Sequence, residues 1–326
     1  MTPPPWLASS WNVLAAGLAS GEVHHALLFA GPRGYGKRAL ADAFAAAALC
    51  VQRGADGRAC GRCRSCLLVA AGSHPDLARV TLELRDDGRP RSEIAVDQIR
   101  ALAARLALAS QFGGWQIAIV DPADAMNASA APALLKTLEE PASSTVIALV
   151  ADDPSRLPPT IRSRCRRIDV PVPTHAQALE WLRAQGIAAD VAEATLAASM
   201  DNPGQAREWI GEGALALRAE CAADLAALSG ARTGAAAIAE RWAADRPGLR
   251  LWFAAVLARE EARALGAGRS GALGLTRRAE IPKLAAWFGR ALRARGLLST
   301  TLRADLVLLD LLRGWPGKDS VMSERA

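Results

Sequence analysis

The stretch LLFAGPRGYGKRAL, residues 27–40, limits what this chain can fold into more than any other. An apolar run reads as a buried strand, Gly31, Gly34 and Gly36 make a loop, and the residues from Lys37 onward start a helix. A strand that passes through a glycine loop into a helix is the start of a β–α crossover, which belongs to a parallel sheet with covering helices. The rest of the first half agrees. HALLFA (25–30), LARVTLE (77–83), QIAIVD (116–121) and TVIALVA (145–151) read as strands, and VDQIRALAARLALAS (96–110) and ASAAPALLKTLEEP (128–141) as helices, the second ending at a proline.

Beyond RIDVPVPTHAQ the pattern becomes wholly helical. Thr174 and Gln177 have capping-box spacing for a helix that runs to about residue 186. DVAEATLAASM and a helix opening at NPGQAREWI complete a unit of about 40 residues. RLWFAAVLAREEARAL and STTLRADLVLLDLLRGW are amphipathic, with glycine-rich turns near 266–274 between them. The expected order is therefore an α/β domain with a parallel sheet over 1–169, a small helical domain over 170–212 and an all-helical domain over 213–326. A length of 326 residues suits two or three domains.

No apolar run reaches the roughly 18 residues of a membrane span. MTPPPWLASSWNVL has neither the basic start nor the cleavage site of a secretory signal, so the expected location is the cytoplasm. The net charge of +6 is 39 basic against 33 acidic residues spread along the chain, which makes no case for nucleic-acid binding. Six cysteines in such a compartment should stay reduced.

Three groups of residues carry chemistry. In the pattern G-x-x-x-x-G-K-[ST], backbone N–H groups and the helix start surround a phosphate, the lysine neutralises it and the final hydroxyl holds magnesium. Gly31, Gly34, Gly36 and Lys37 supply the first parts, but Arg38 stands where the hydroxyl belongs. The plain rival is a glycine turn joining strand to helix. Asp121 sits at a strand end, where it could touch a metal or cap a turn, and Pro122 follows it in place of a water-orienting glutamate. Losing both groups removes most of what a phosphoryl-transfer site contributes, so turnover should be negligible. The sequence leaves open whether the loop still retains ATP. Cys50, Cys60, Cys63 and Cys66 have the spacing C-x9-C-x2-C-x2-C, which suits four sulfurs around one structural zinc ion, with an iron–sulfur cluster or ordinary buried thiols as rivals. His74, in SHPD, reads as a loop residue. RLPPTIRSRCRRIDV places Arg156, Arg162, Arg164, Arg166 and Arg167 in a turn and edge strand, from which one fixed guanidinium could reach a neighbouring subunit's γ-phosphate.

Taken together, GPRGYGKRAL, the four-cysteine insert, HPDL, IAVDQIR, ALLKTLEEP and TIRSRCR resemble the clamp-loader branch of the AAA+ family. Within that branch they resemble the delta-prime subunits of bacterial DNA polymerase III. The resemblance implies an AAA+ core (1–169) with a zinc-binding insert (50–66), a helical lid (170–212) and a collar (213–326). The collar would join a heteropentamer with gamma/tau motor subunits and a delta subunit, which loads a sliding clamp onto primed DNA. It implies that Arg164, flanked by Ser163 and Cys165, completes a neighbour's ATP site, and that the chain has no activity of its own. It also puts Gly204 where a motor subunit has a nucleotide-sensing arginine, and Pro132 where the family more often has asparagine, which would shorten or bend that helix start. The alternative is an ATP-hydrolysing gamma/tau-like motor or another AAA+ ATPase.

Overall fold

The computed structural model describes residues 3–275, 278–298, 300 and 302–316. The chain divides into two compact units, residues 1–185 with 202–205, and residues 186–201 with 206–326.

The first unit is built on a five-stranded sheet of β1 (Ala26–Ala30), β2 (Leu77–Val80), β3 (Gln116–Val120), β4 (Thr145–Ala151) and β5 (Arg166–Asp169). The strand order is β2-β3-β4-β1-β5 and every pairing is parallel. β1, β3 and β4 are buried at every position because helices cover both faces. Alternate residues of one apolar strand therefore enter two different cores. Leu27 and Phe29 pack with Trp11, Leu14, Leu40 and Phe44 of α1 (Ala8–Ser20) and α2 (Lys37–Leu49). Leu28 and Ala30 pack on the opposite face with Ile99 and Leu102 of α4 (Val96–Leu106) and Leu134 and Leu138 of α5 (Ala130–Glu139). Short α3 (Arg64–Ala70) carries Cys66, the last cysteine of the insert, α6 (Pro159–Arg162) precedes β5, and α7 (His175–Ala184) follows it.

The four expected strands form, β4 over its full expected span and the other three with shorter ends, and the helices expected over 96–110 and 128–141 form as α4 and α5, also with shorter ends. β2 stops at Val80, where an exposed stretch rich in charge, including Arg85, Asp86 and Asp87, leaves the sheet. β5 is an edge strand, exposed except at Ile168, in keeping with its arginines. Helix α1 was not expected: alanines, serines and a glycine blur its period, and its buried contacts are Trp11, Leu14 and Leu18 alone. Pro132 does not break α5: it is the third helical residue, where no intrahelical acceptor awaits an N–H, and the helix starts at Ala130, two residues inside the expected start at 128. Asn127 Oδ1 accepts the amide of Ala130 at 2.9 Å and so caps this start.

The second unit is all-helical, with α8 (Ala189–Ala198), most of α9 (Pro203–Gly211), α10 (Ala214–Ser229), α11 (Ala235–Ala244), α12 (Pro247–Gly266), α13 (Ile281–Leu297) and α14 (Ala304–Arg313). Its core gathers Trp209, Trp242, Phe253 and Trp287 with leucines from every long helix. The turn after α12 is tied by the buried Glu261 carboxylate, which accepts the amides of Leu273 at 2.9 Å and Leu275 at 3.0 Å. The last helix read from the sequence is α14; Ser299, Thr301 and residues 317–326 lie outside the described residues.

Candidate nucleotide pocket and thiolate cluster

The glycine loop has the backbone that its sequence requires. Gly34 and Gly36 have φ of 93° and 97°, a region that only glycine enters freely, and Gly36 is the N-cap of α2. Lys37 is thereby the first helical residue, and its side chain is 1% exposed.

Both carboxylates around it come from strand ends. Asp121 follows β3, and Asp152 follows β4. Arg38 Nε donates to Asp121 Oδ2 at 2.8 Å, while its Nη1 and Nη2 donate to the two oxygens of Asp152 at 3.1 and 3.3 Å. Lys37 Nζ is ion-paired with the same Asp152. Two cations and two anions thus form one cluster. Burial lowers the pKa of Lys37, against the opposing pull of Asp152. Burial also pulls on Arg38 and Asp152, but their mutual hydrogen bonds prevail, so Arg38 is raised and the Asp152 carboxyl lies below the usual carboxylate range. Asp121 was expected to meet a metal or to cap a turn; its carboxylate instead meets Arg38. Asp152 was missed, although TVIALVADD has the same strand-then-acid pattern as QIAIVD.

Segment 202–205 lies against the loop. Asn202 Nδ2 donates to the carbonyl of Arg33 at 2.9 Å, and the amide of Gly204 donates to that of Gly34 at 3.0 Å. A β-carbon at Gly204 would lie 2.3 Å from Gly34 O, so this contact excludes an arginine there.

The four cysteines of the insert come together. Their sulfurs all lie within 4.8 Å of one another, with Cys50–Cys63 and Cys60–Cys66 each 3.9 Å apart. A tetrahedron of sulfurs about 2.3 Å from a zinc ion has edges of about 3.8 Å, so the donor set fits that ion. Backbone amides of Cys60 and Gln52 point at Cys50 Sγ (3.3 and 3.4 Å), and that of Cys63 at Cys60 Sγ (3.3 Å). The amides of Arg62 and Cys63 bring the Cys60 pKa down to about 6.

His74 is no fifth ligand. His74 Nδ1 accepts the amide of Asp76 at 3.1 Å, so Nε2 carries the proton and donates to Ser65 Oγ at 3.0 Å. The Asp76 carboxylate accepts Ser110 Oγ and the amides of Gln111 and Phe112 at 2.8–3.0 Å. A serine, histidine and aspartate in sequence thus make a buried brace between the cysteine insert and the start of β2. Its histidine has the wrong tautomer to act as a base toward Ser65.

Arg164 follows α6. Its Nη2 pairs with Glu139 of α5 at 2.8 Å and its Nη1 donates to Thr160 O at 3.1 Å, with 39% of the side chain exposed. Ser163 Oγ donates to Thr160 O at 3.2 Å, and burial pushes the Cys165 thiol up to about 11, which removes it as a nucleophile.

A parallel sheet with a glycine loop leading from the end of β1, the neighbour of edge strand β5, into α2 defines the P-loop class of α/β folds, here with the metal-holding hydroxyl replaced by Arg38. Residues 7–174 match the family model described as "DNA polymerase III, delta subunit". The chain is 41% identical over 253 residues to "DNA polymerase III subunit delta'" of Pseudomonas aeruginosa, covering 76% of this chain and 74% of that one. It is 36% identical to the protein of that name from Escherichia coli, covering 62% of this chain and 59% of that one. It is also 35% identical to "DNA polymerase III subunit tau/gamma" of Haemophilus influenzae over 47% of this chain and 21% of the relative. The chain belongs to the DNA polymerase III delta-prime family. Among the described residues no helix is long and apolar enough to cross a membrane.

Proposed function

We propose that this chain is a non-hydrolysing delta-prime-type subunit of a bacterial clamp loader in the cytoplasm. It would assemble with gamma/tau motors and a delta subunit into the heteropentamer that places a sliding clamp on primed DNA, with a core over 1–169, a lid over 170–212 and a collar over 213–326. The observation that carries the reading is the ion cluster. Arg38 engages Asp121 and Asp152 at the place where a hydrolysing site needs a hydroxyl and a magnesium ion. Pro122 offers no carboxylate to aim water, and the only acid close behind it, Asp124, accepts the amide of Asp153 at 2.8 Å through one oxygen. The same features count against the rival reading of a hydrolysing motor.

Arg164 would act in trans, its guanidinium stabilising charge on the γ-phosphate in a neighbouring motor's site, with Ser163 and Cys165 shaping the turn that holds it. Its half-exposed position suits that role. Cys50, Cys60, Cys63 and Cys66 would hold zinc. The ion supplies structural cross-linking only, because four sulfurs leave no position for an activated water. These cysteines would fix the end of α2 to the start of α3.

A phosphate-release assay on the isolated chain tests the reading. The expected rate is far below the roughly 1 per second of ordinary phosphoryl-transfer enzymes. Brisk turnover that disappears in Lys37→Ala would sink the proposal. Mass measurement with candidate motor and delta subunits should give a defined complex containing one copy of this chain.

A further inference from the structure

We propose that Arg38 is the resident counter-ion of this pocket, and that this one side chain keeps a magnesium–nucleotide out of a loop otherwise shaped for it. The inference deepens the reading of the degenerate pocket above. It is independent of assembly, since a chain that joined no clamp loader would leave it untouched.

The argument is a charge count. Lys37 and Arg38 carry two positive charges, and Asp121 and Asp152 carry two negative ones, so the cluster is neutral as it stands. A triphosphate that enters must draw Lys37 away from Asp152, and it gains nothing from Arg38 unless that guanidinium also leaves both carboxylates. A divalent ion is disfavoured, because three of the four carboxylate oxygens that would face it accept hydrogen bonds from Arg38. One oxygen stands apart: Asp121 Oδ1 is buried and has no hydrogen-bond partner. The cluster therefore satisfies charge without satisfying every lone pair.

Without Arg38 the count changes. One lysine then faces two carboxylates, for a net charge of −1, and a divalent cation turns this to +1 and restores attraction for a polyphosphate. Lys37 and the left-handed Gly34 and Gly36 are already in place. Arg38→Thr supplies the hydroxyl that the metal requires at this position. Hydrolysis does not return, because position 122 remains proline.

The experiment measures binding of a fluorescent ATP analogue to the full-length chain, in magnesium and in EDTA. The proteins are the native chain, Arg38→Thr, and the double variant Lys37→Ala with Arg38→Thr, each first shown to unfold cooperatively near the native temperature. Arg38→Thr should bind at least tenfold tighter than the native chain in magnesium, lose that gain in EDTA, and lose it again in the double variant. Where Arg38→Thr fails to fold, Arg38→Ser serves instead. It leaves the same net charge of −1 and supplies the same kind of hydroxyl, and it should bind more tightly than the native chain. The proposal is overturned by a folded Arg38→Thr or Arg38→Ser that binds no better than the native chain. Native binding that is already tight in magnesium and falls in EDTA also overturns it, as does a gain in Arg38→Thr that survives EDTA or the loss of Lys37.

Discussion

At the scale of single residues, the decisive positions are those where a neighbour forbids an ordinary substitution. Gly204 is one. A methyl group there meets the carbonyl oxygen of Gly34 at 2.3 Å, and this neighbour is backbone that cannot rotate aside. Gly204→Ala should therefore destabilise the chain by about 1–3 kcal/mol, the usual cost of overpacking, measured as a lowered midpoint in urea with an unchanged slope. The cysteines are another case. Cys63 Sγ lies 3.9 Å from Cys50 Sγ in a cage that fits one tetrahedral ion, so Cys63→Ser should lower the metal-to-protein ratio from one toward zero and reduce thermal stability. A full complement of metal in Cys63→Ser would show that the ligand set is misassigned. The brace of Ser65, His74 and Asp76 adds a reason why the loss should spread, since Ser65 sits between two of the cysteines and is tied to the start of β2.

At the scale of elements, the capping box that opens α7 gives a clean test of local sequence logic. Thr174 Oγ1 accepts the amide of Gln177 at 3.3 Å, and Gln177 Oε1 accepts the amide of Thr174 at 2.9 Å. Thr174→Ala should cost about 1 kcal/mol, seen as a drop of a few degrees in the unfolding of the first unit. Such elements were legible because their signals are local. The central strands stood out as apolar runs, the capping box as a fixed spacing, and the cysteine cage as Cys60, Cys63 and Cys66 with two residues between successive cysteines. What was illegible depends on distance in sequence. Asp152 lies 114 residues after Arg38, and no pattern within a window links them. The bond from Asn202 to Arg33 spans 169 residues, so its part in holding the glycine loop could not be inferred from DNPG alone. Helix α1 escaped notice because only three of its side chains bury a hydrophobic surface, too few to set a period. The SHPD stretch looked like a plain loop because a buried hydrogen-bond relay leaves no hydrophobic signature.

At the scale of the whole molecule, the in-trans role proposed for Arg164 would separate function from stability. Its ion pair with Glu139 is about half exposed on both sides, and such pairs contribute about 0–1 kcal/mol, so the isolated chain should barely register the loss of this side chain. In the assembled loader the same guanidinium would face a γ-phosphate in a site that excludes water, where a charge-assisted contact weighs far more than it does in solution. Glu139 must then release it. That exchange costs little, because a screened surface pair competes against a multiply charged phosphate. Arg164→Ala is accordingly expected to fold and retain metal like the native chain and to enter the complex in the same stoichiometry. The complex should hydrolyse ATP more slowly by up to roughly 10³-fold, the lower end of what in-trans arginines supply. Steady-state ATPase of the reconstituted complex, alongside its measured mass and the melting temperature of the free variant, checks all of these. Unchanged turnover in a fully assembled complex would assign the motor's missing charge to another residue and leave Arg164 as an ordinary surface arginine.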